Sequence, residues 1–379
     1  TKDGLNHEAW NLMKQNPLFS TLYIVGTGIS IVMTMVIAIV YYVRLAPVYP
    51  ETNRMRTLVV KSAKMTNDES THSSNISYAM LKDWFYSLES AEVSTGVSGT
   101  SYARVTNDKE EIPTYARYTD ENFFRVFPLV FLEGKPFTEA DRRSGIHNVV
   151  LTDSYAQQLF GTTKGVVGKN FLMDYTNVKV VGVVKSGSFL TPDSYAQVYL
   201  PYSCRDGYDD ERSHWALGGY RVYILMKESK SVTDVQDEVL ELVRKFNVSD
   251  MGDGWKLDLV GQPELYWHST FRLRNNVDVD WGRVIWMFVG IFMVLLFVPA
   301  FNLSGMISAR MERQLPDLGI RKAFGASRRR LLVQIIWENL LLTGLGTLLG
   351  LVIAWIVLAL SGYEIFSLFE WELICFLLR

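Results

Sequence analysis

Residue types that could perform catalysis or hold a metal ion are scattered along this chain of 379 residues. No histidine lies at a metal-ligand interval from a cysteine or from another histidine, and no G-x-S-x-G nucleophile motif occurs. Cys204 and Cys375 lie far apart, one in a polar region and one at an apolar end, so no disulfide framework is indicated. We therefore predict neither a metal site nor nucleophilic catalysis. The five histidines are His7, His72, His147, His214 and His268.

The stretch that comes closest to a phosphate-binding loop is Gly165–Lys169. A phosphate loop needs the pattern G-x-x-x-x-G-K-[ST], but the spacing of the glycines is too short here. Asn170 also stands where a hydroxyl group should bind the metal ion. The stretch therefore predicts a turn, and we expect neither ATP hydrolysis nor a cofactor on this chain itself.

Composition indicates a membrane protein with one large water-soluble part. Hydrophobic residues make up 48% of the chain and charged residues 21%, which excludes a bundle of spans from end to end. The formal net charge of −2 gives no reason to expect nucleic acid as a partner. The run from Tyr23 to Val43 has no charge and is long enough to cross a bilayer as a helix. A cleaved signal peptide is the alternative, but the run is too long for one and no A-x-A site precedes Arg44.

Two further apolar segments complete the predicted order of spans. The second span lies near Val284–Ile307, with Trp281 and Trp286 placed as in an aromatic belt, and the third lies near Ile335–Leu360. The apolar end that follows Gly362 is too short to cross a bilayer, and we interpret it as the start of a truncated fourth span. The predicted regions are a cytoplasmic interfacial helix (1–19), span 1 (20–43), an extracytoplasmic domain (44–280), span 2 (281–309), a cytoplasmic coupling loop (310–330), span 3 (331–361), and an outer loop with the start of span 4 (362–379).

The loop between the second and third predicted spans is rich in arginine and lysine. Short basic loops of this kind lie in the cytoplasm, which places the domain at 44–280 on the opposite side of the membrane. Pro316 suits the first position of a short helix, Gly325 its end, and Ser327 the N-cap of the next helix. Contact with lipid headgroups would explain only the charged residues of the loop. It does not explain the apolar residues among them, which are typical of a helix that lies in a partner's groove. These residues are Leu318, Ile320 and Phe324.

The region at 44–280 has the sequence pattern of an α+β domain. Short runs of β-branched and aromatic residues predict strands, and amphipathic runs predict helices. Glycines between the runs predict turns, and phenylalanines predict a core. The predicted strands are Thr57–Lys61, Asn148–Thr152, Val178–Val184 and Arg221–Met226, the helices are Tyr78–Glu89 and Val232–Phe246, the turns lie at Gly134, Gly161, Gly165, Gly168 and Gly182, and the core residues are Phe123, Phe127, Phe131 and Phe160.

Two features inside the predicted spans bear on how they pack. Pro299 removes a helical hydrogen bond, so we predict a kink in span 2, interpreted as a fixed bend rather than a hinge. Gly346, Gly350 and Ala354 form a small-residue stripe in span 3 that lets another helix approach closely. Packing within the chain and contact with a second protomer are equally consistent with that stripe.

Three stretches carry a resemblance to a known family. Asn302–Gly350 resembles the C-terminal permease module of the family that includes the cell-division protein FtsX, the lipoprotein-release permeases and the macrolide exporter MacB. Tyr118–Arg142 and Asn148–Val184 are similar to the MacB-type periplasmic core domain. The resemblance implies that the motif in the basic loop couples the chain to a separate ABC ATPase. The motif residues are Leu318, Gly319, Ile320, Arg321, Lys322, Ala323, Phe324, Gly325 and Ala326.

The same resemblance implies an architecture and a mechanism. It implies an α+β membrane protein of the bacterial inner membrane, with helical spans, of which three are seen and a fourth is expected. The large domain would be periplasmic, and two permease protomers, identical or different, would pair. ATP and Mg²⁺ would bind the partner ATPase, whose movement would reach the periplasmic domains by mechanotransmission during export or handling of a substrate. A periplasmic or outer-membrane partner is compatible with this scheme.

Two alternatives stay open at this stage. Within the family, the chain could release lipoproteins or regulate cell-wall hydrolases. From a different class, it could be a membrane-anchored extracytoplasmic sensor. A sensor should carry a cytoplasmic kinase, coiled-coil or enzyme domain, whereas this chain has only short cytoplasmic segments.

Overall fold

A computed structural model describes the chain at residues 17–99, 101–106, 111–189, 191–205, 207–208, 216–249, 254–324 and 327–360. The described residues fall into two compact units. The helical unit contains residues 17–42 and the described residues from Trp281 onward, and the α+β domain contains the described residues of 43–280. The predicted interfacial helix at 1–19 lies outside the described residues except for 17–19, and the predicted outer loop and fourth span at 362–379 lie wholly outside them.

The secondary structure of the described residues consists of helices and short strands. The helices, in chain order, are α1 (Pro17–Leu45), α2 (Tyr78–Asp83), α3 (Phe123–Val126), α4 (Glu139–Ser144), α5 (Asp153–Phe160), α6 (Val232–Val248), α7 (Trp281–Ala323) and α8 (Arg328–Leu360), with 3-10 helices at Phe85–Ser87, Tyr202–Cys204 and His268–Phe271. The strands are β1 (Thr57–Val60), β2 (Ala63–Thr66), β3 (Thr71–Ile76), β4 (Ala91–Ser98), β5 (Ser101–Thr106), β6 (Glu111–Thr119), β7 (Phe131–Gly134), β8 (Asn148–Thr152), β9 (Asn170–Met173), β10 (Thr176–Val184), β11 (Val198–Pro201), β12 (Leu217–Gly218), β13 (Tyr220–Met226), β14 (Lys256–Asp258) and β15 (Glu264–Leu265).

Two helices of the helical unit are long and apolar enough to cross a membrane. They contribute the segments Ser20–Leu45 of α1 and Asn339–Val357 of α8. A third apolar segment, Trp281–Leu295 at the start of α7, is shorter. The region predicted as span 2 is therefore helical, but the number of spans stays a prediction.

The structure corrects the prediction of a short helix that begins at Pro316. Helix α7 runs without interruption from Trp281 to Ala323, so Pro316 lies inside a long helix rather than at the start of a new one. A proline inside a helix removes one hydrogen bond, and the residues around this one are mostly good helix formers that continue the helix through it. Pro299 also lies within α7, and the kink predicted there stays a prediction.

The first sheet of the α+β domain is built around β13. This strand pairs antiparallel with β1 on one side and with β4 on the other. Strand β15 pairs with the free side of β1, and β2, β3, β12 and β14 extend the sheet. Strand β1 is the first strand after α1 and β15 is the last before α7, so the first and last strands of the domain are adjacent in this sheet.

The second sheet closes on itself. Its order is β7-β10-β8-β11-β6-β5-β9, and β9 also pairs with β10, so six strands form a ring to which β7 is attached. The pairs β10–β8 and β11–β6 are parallel, and the others are antiparallel. Closure leaves few free strand edges in this part of the domain.

Aromatic residues fill the space between the two sheets. Phe123 and Phe127, on and just after α3, are fully buried and pack against Tyr199 of β11 and Tyr223 of β13. Burial of each phenylalanine contributes about 1.5–3 kcal/mol. Of the four phenylalanines predicted in the core, these two are at its centre, whereas Phe131 and Phe160 are half-buried at its margins.

Most of the predicted elements of the domain are present, but the helix predicted at Tyr78–Glu89 ends at Asp83 and is followed by the 3-10 helix at Phe85–Ser87. Strand β8 has the predicted bounds, and helix α6 extends the predicted Val232–Phe246 by two residues. Four of the five predicted turn glycines have a positive φ, but Gly182 lies inside β10, where the turn prediction is wrong. A Cβ atom on Gly182 would lie 2.7 Å from the carbonyl oxygen of Lys135 and 2.8 Å from Cε1 of Phe131, so glycine is needed there because a backbone carbonyl group and a ring approach the strand closely. The predicted turn at Gly165–Lys169 is confirmed.

Helix α6 begins at a capping box that gives a small stability prediction. Ser231 accepts a hydrogen bond from the backbone N–H of Asp234, and the Asp234 carboxylate accepts one from the backbone N–H of Ser231. We expect Ser231→Ala to lower the free energy of unfolding by about 1 kcal/mol. Thermal unfolding of the detergent-solubilised chain measures this. Val248→Ala, an exposed position at the other end of α6, is the control, and equal melting temperatures for the two variants would contradict the prediction.

Candidate functional site

The last turns of α7 present one exposed face of small and apolar residues. Ile320 is 56% exposed and Phe324, just beyond the helix end, is 89% exposed. The backbone N–H of Phe324 donates to the carbonyl oxygen of Ile320 at 3.0 Å, so Phe324 continues the helical turn. Residues at this spacing lie on one side of a helix. The exposed residues of this side, called the α7 face, are Pro316, Gly319, Ile320, Ala323 and Phe324.

The other residues of the predicted coupling motif lie close by along the chain. Leu318, Arg321 and Lys322 belong to the same last turns of α7, whereas Gly325 and Ala326 lie outside the described residues. Helix α8 begins at Arg328, directly after Ser327. The predicted break between two helices is therefore confirmed, although the first of them is long. Gly325, which was predicted to end the first helix, lies outside the described residues.

The predicted small-residue stripe of α8 lies against α1 within the same chain. A Cβ atom on Gly346 would lie 2.8 Å from Cβ of Thr27, and one on Gly350 would lie 2.7 Å from the carbonyl oxygen of Gly28. Ala354, one turn further, is 2% exposed. The two helix backbones approach so closely that only glycine fits at these two positions. Contact of the stripe with a second protomer is left as a proposal.

A polar contact accompanies this packing. The hydroxyl groups of Tyr23 on α1 and Thr343 on α8 form a hydrogen bond of 2.9 Å. A hydrogen bond between helices in an apolar environment adds about 0.6–1.7 kcal/mol to their association. The α1 partners Tyr23, Thr27 and Gly28 were not predicted, although small and polar residues in an uncharged span are the signal that could have indicated them.

A buried ion cluster joins the first sheet to the loop that leads into β11. Asp193, in that loop, accepts from Lys61 Nζ at 2.9 Å and from Arg221 Nη1 at 3.1 Å. Burial opposes ionisation of Asp193, but the charges of Lys61 and Arg221 outweigh burial and hold the pKa of this carboxyl well below its usual range. The carboxylate is therefore ionised at neutral pH and holds the two parts of the domain together.

A second buried carboxyl group, Asp120, lies at the end of β6 and behaves differently. It accepts hydrogen bonds from the Thr95 hydroxyl (2.6 Å), the Gly96 N–H (2.9 Å), the Phe123 N–H (3.1 Å) and the Tyr86 hydroxyl. Burial raises the pKa of Asp120 to about 6, against the lowering effect of these hydrogen bonds. Thr95 and Gly96 belong to β4, so Asp120 also connects the two sheets.

The raised pKa of Asp120 predicts a pH dependence of stability. Because the folded state keeps the proton up to about pH 6 and the unfolded state only to about pH 4, Asp120 stabilises the fold fully below pH 4. That contribution, about 3 kcal/mol, is lost as the pH rises to about 6. We expect Asp120→Asn to remove this slope. Thermal unfolding of the solubilised chain and of the variant between pH 4 and 7 measures it, and parallel pH curves would contradict the assignment.

Two family models match this chain. The MacB-like periplasmic core domain matches residues 19–242, and the FtsX-like permease C-terminal matches residues 286–377. The first match alone covers more than half of the chain. It extends from α1 to α6, and the second contains α8 and most of α7, including the α7 face.

Similar proteins include curated permeases and a solved domain. The ABC transporter permease YknZ of Bacillus subtilis is 21% identical over 70% of this chain and 63% of its own length. The pyoverdine export ATP-binding/permease protein PvdT of Pseudomonas entomophila is 25% identical over 61% of this chain and 34% of its own length. The chain therefore spans between about a third and under two thirds of these relatives. The periplasmic region of MacB from Actinobacillus actinomycetemcomitans is 16% identical, with a TM-score of 0.38 over 52% of this chain and 88% of that one.

The order of the elements agrees with these matches. An apolar helix leads into an α+β domain, and two long helices with a short connection follow it. The first family match ends inside α6, at residue 242, and the second begins five residues inside α7, at residue 286, so the division of the chain at Trp281 lies in the interval between the two matches. The chain belongs to the family of ABC transporter permeases that have a MacB-like periplasmic core domain and an FtsX-like permease C-terminal module.

Proposed function

We propose that this chain is the permease subunit of a MacB-like ABC transporter of the inner membrane. In this proposal a separate ATPase chain binds the α7 face, and its ATP-driven movement is passed to the α+β domain on the other side of the membrane. The observation that carries the proposal is the exposure of Ile320 and Phe324 at the end of α7. Two large apolar side chains exposed at the end of a helix are suited to a partner's apolar groove.

The partners follow from the same proposal. ATP and Mg²⁺ bind the ATPase, and this chain carries no cofactor. The name of YknZ describes that relative as a permease, whereas the name of PvdT joins ATP-binding and permease parts. The relatives named as exporters support efflux as the kind of transport. A second permease protomer, membrane lipid and a periplasmic or outer-membrane protein are further proposed partners.

ATP-dependent movement of the α+β domain tests the proposal. Spin labels are placed on Tyr175→Cys in the domain and Leu332→Cys in α8, both of which are exposed, in a chain whose native cysteines are replaced by serine. The labelled chain is reconstituted with its ATPase in lipid nanodiscs. We expect the label distance distribution to shift when ATP and Mg²⁺ are added. An unchanged distribution, with the ATPase bound and active, would contradict the proposed function.

A further inference from the structure

The two ends of the α+β domain that lead to α1 and α7 each contain a buried arginine paired with a buried glutamate. Glu51 and Arg54 form the upstream ion pair, and Glu264 and Arg272 form the downstream ion pair. All four residues are almost fully buried, with Arg54 3% exposed. Each arginine also donates to one backbone carbonyl group where the domain joins a long helix, that of Val43 for Arg54 and that of Val277 for Arg272. This shared arrangement requires an explanation.

The upstream ion pair binds the last turn of α1. Arg54 Nη1 donates to the carbonyl oxygen of Val43 at 2.8 Å, while Nη2 bonds to Glu51. A cation at the carboxyl end of a helix is favourable because the last carbonyl groups have no partner in the helix. Arg54 therefore bonds Val43, in the last turn of α1, to the first residues of the domain.

The same arginine contacts two other parts of the domain. Its guanidinium group lies over the ring of Tyr266, 5.1 Å from the ring centre. The backbone N–H of Tyr266 donates to the carbonyl oxygen of Thr57 at 2.9 Å, where β1 begins. Through Glu51, which accepts from the Ser194 hydroxyl at 2.7 Å, Arg54 is connected to the loop before β11. Arg54 thus links the end of α1, the segment after β15 and the second sheet.

The downstream ion pair binds the segment before α7 to the domain in a similar way. Arg272 Nη1 donates to the carbonyl oxygen of Val277 at 2.6 Å, Nη2 donates to that of Val260 at 2.8 Å, and Asp278 lies 3.7 Å from Nη2. Val260 is a β-branched residue at a φ of +54°, a strained conformation that persists only where the surroundings hold it. Arg272 therefore holds the segment before α7 against a loop fixed in a strained shape.

Stability alone does not account for these buried charges. Apolar residues of similar size usually stabilise a core as well as a buried ion pair does. An arginine differs from an apolar residue because its interactions are directional. Its planar guanidinium group donates hydrogen bonds along fixed directions to several acceptors at once. This property serves to fix the geometry of two helix connections, which apolar packing would leave free to slide.

On the basis of the proposed function, we propose that Arg54 and Arg272 are positioning residues that make the end of α1 and the segment before α7 move as one body with the α+β domain. Movement that the ATPase starts at the other side of the membrane then reaches the domain with its full amplitude, because the two connections do not bend. Removal of either ion pair leaves the ATPase bound and active but disconnects the domain from the helices.

The test uses the reconstituted chain with its ATPase and the label pair at Tyr175→Cys and Leu332→Cys. The double variant Glu51→Gln/Arg54→Met removes both charges, so that no unpaired charge stays buried. Arg56→Gln is the matched control, because Arg56 is two residues away and makes ion pairs with Glu92 and Glu228 at the surface. We expect the ATP-dependent distance shift to fall to less than a third in the double variant and to stay unchanged in the control.

A second label pair measures the distance across the upstream connection directly and needs no ATPase. Labels on Tyr42→Cys and Met55→Cys, both exposed, lie on the two sides of the upstream ion pair. Their distance distribution should be narrow in the parent chain and at least twice as broad in the double variant. If the double variant does not fold, the same distances are measured in Arg54→Lys. Lysine keeps the charge but cannot bind Glu51 and Val43 through two nitrogens.

The outcomes separate the inference from the proposed function. Equal ATP-dependent shifts in the parent chain and the double variant, or equally narrow Tyr42–Met55 distributions, would overturn the role of the ion pairs and leave the permease function in place. A parent chain that binds its ATPase but shows no shift would overturn both. The double variant Glu264→Gln/Arg272→Met, at the downstream connection, should show the same decrease of the ATP-dependent distance shift.

Discussion

The double variant Gly319→Glu/Phe324→Asp is expected to bind the ATPase about a thousandfold more weakly than the unchanged chain. Burial of a phenylalanine side chain contributes about 1.5–3 kcal/mol, and a carboxylate placed in an apolar groove adds a cost of its own. Together we expect about 4 kcal/mol, which is a factor of about a thousand. Gly319 has no neighbour within 4 Å of its Cβ position, so the glutamate enters open space and does not disturb α7.

Binding of the purified ATPase to the chain in nanodiscs measures this effect. Phe324→Leu is the conservative control and should lose less than tenfold, because the leucine keeps most of the apolar area. Ile146→Asp, an exposed residue of the α+β domain, should leave binding unchanged. Equal affinities for the double variant and Ile146→Asp would show that the α7 face does not contact the ATPase.

The substitution Gly346→Leu is expected to separate α1 from α8 and to destabilise the helical unit by about 4 kcal/mol. Its Cβ atom would lie 2.8 Å from Cβ of Thr27 and 3.0 Å from the carbonyl oxygen of Ile24, so α1 must move. Overpacking costs about 1–3 kcal/mol, and the hydrogen bond between Tyr23 and Thr343 would be lost as well.

Gly344→Leu provides a matched control two residues away on the same helix. A Cβ atom on Gly344 meets nothing within 4 Å, so the added side chain enters open space. Thermal unfolding of both variants in the same detergent compares them. We expect a clearly lower melting temperature for Gly346→Leu only, and equal melting temperatures would show that the close approach of α1 and α8 does not exist in the membrane.

Local sequence patterns predicted much of the α+β domain. Strand β8 was predicted from a short continuous run of apolar and β-branched residues, and helix α6 from apolar residues that repeat at the period of a helix. Gly182 was misassigned because a glycine in a strand and a glycine in a turn look alike in sequence. The carbonyl oxygen of Lys135 and the ring of Phe131, both next to the Cβ position of Gly182, distinguish the two cases.

The errors in the helical unit and the omissions in the domain have different causes. Pro316 is favourable at a helix start, but the length of α7 overrides that local preference. The buried ion pairs could not be predicted, because their members are only three and eight residues apart but are buried by groups that are distant in the chain. Ser194, for example, lies 143 residues after Glu51, and no local pattern connects them. The proposed coupling motif could be singled out in the sequence because its apolar and charged residues are consecutive.

The most direct test of the account is to purify the chain in mild detergent from the membranes of its own cells and to measure ATP hydrolysis in the purified material. The account predicts that an ABC ATPase co-purifies with the chain and that the activity is lost with Gly319→Glu/Phe324→Asp at unchanged expression. If the unchanged chain carries no ATPase, or if the variant retains it equally well, the α7 face is only a lipid-contacting surface. The sensor hypothesis would then take the place of the permease proposal.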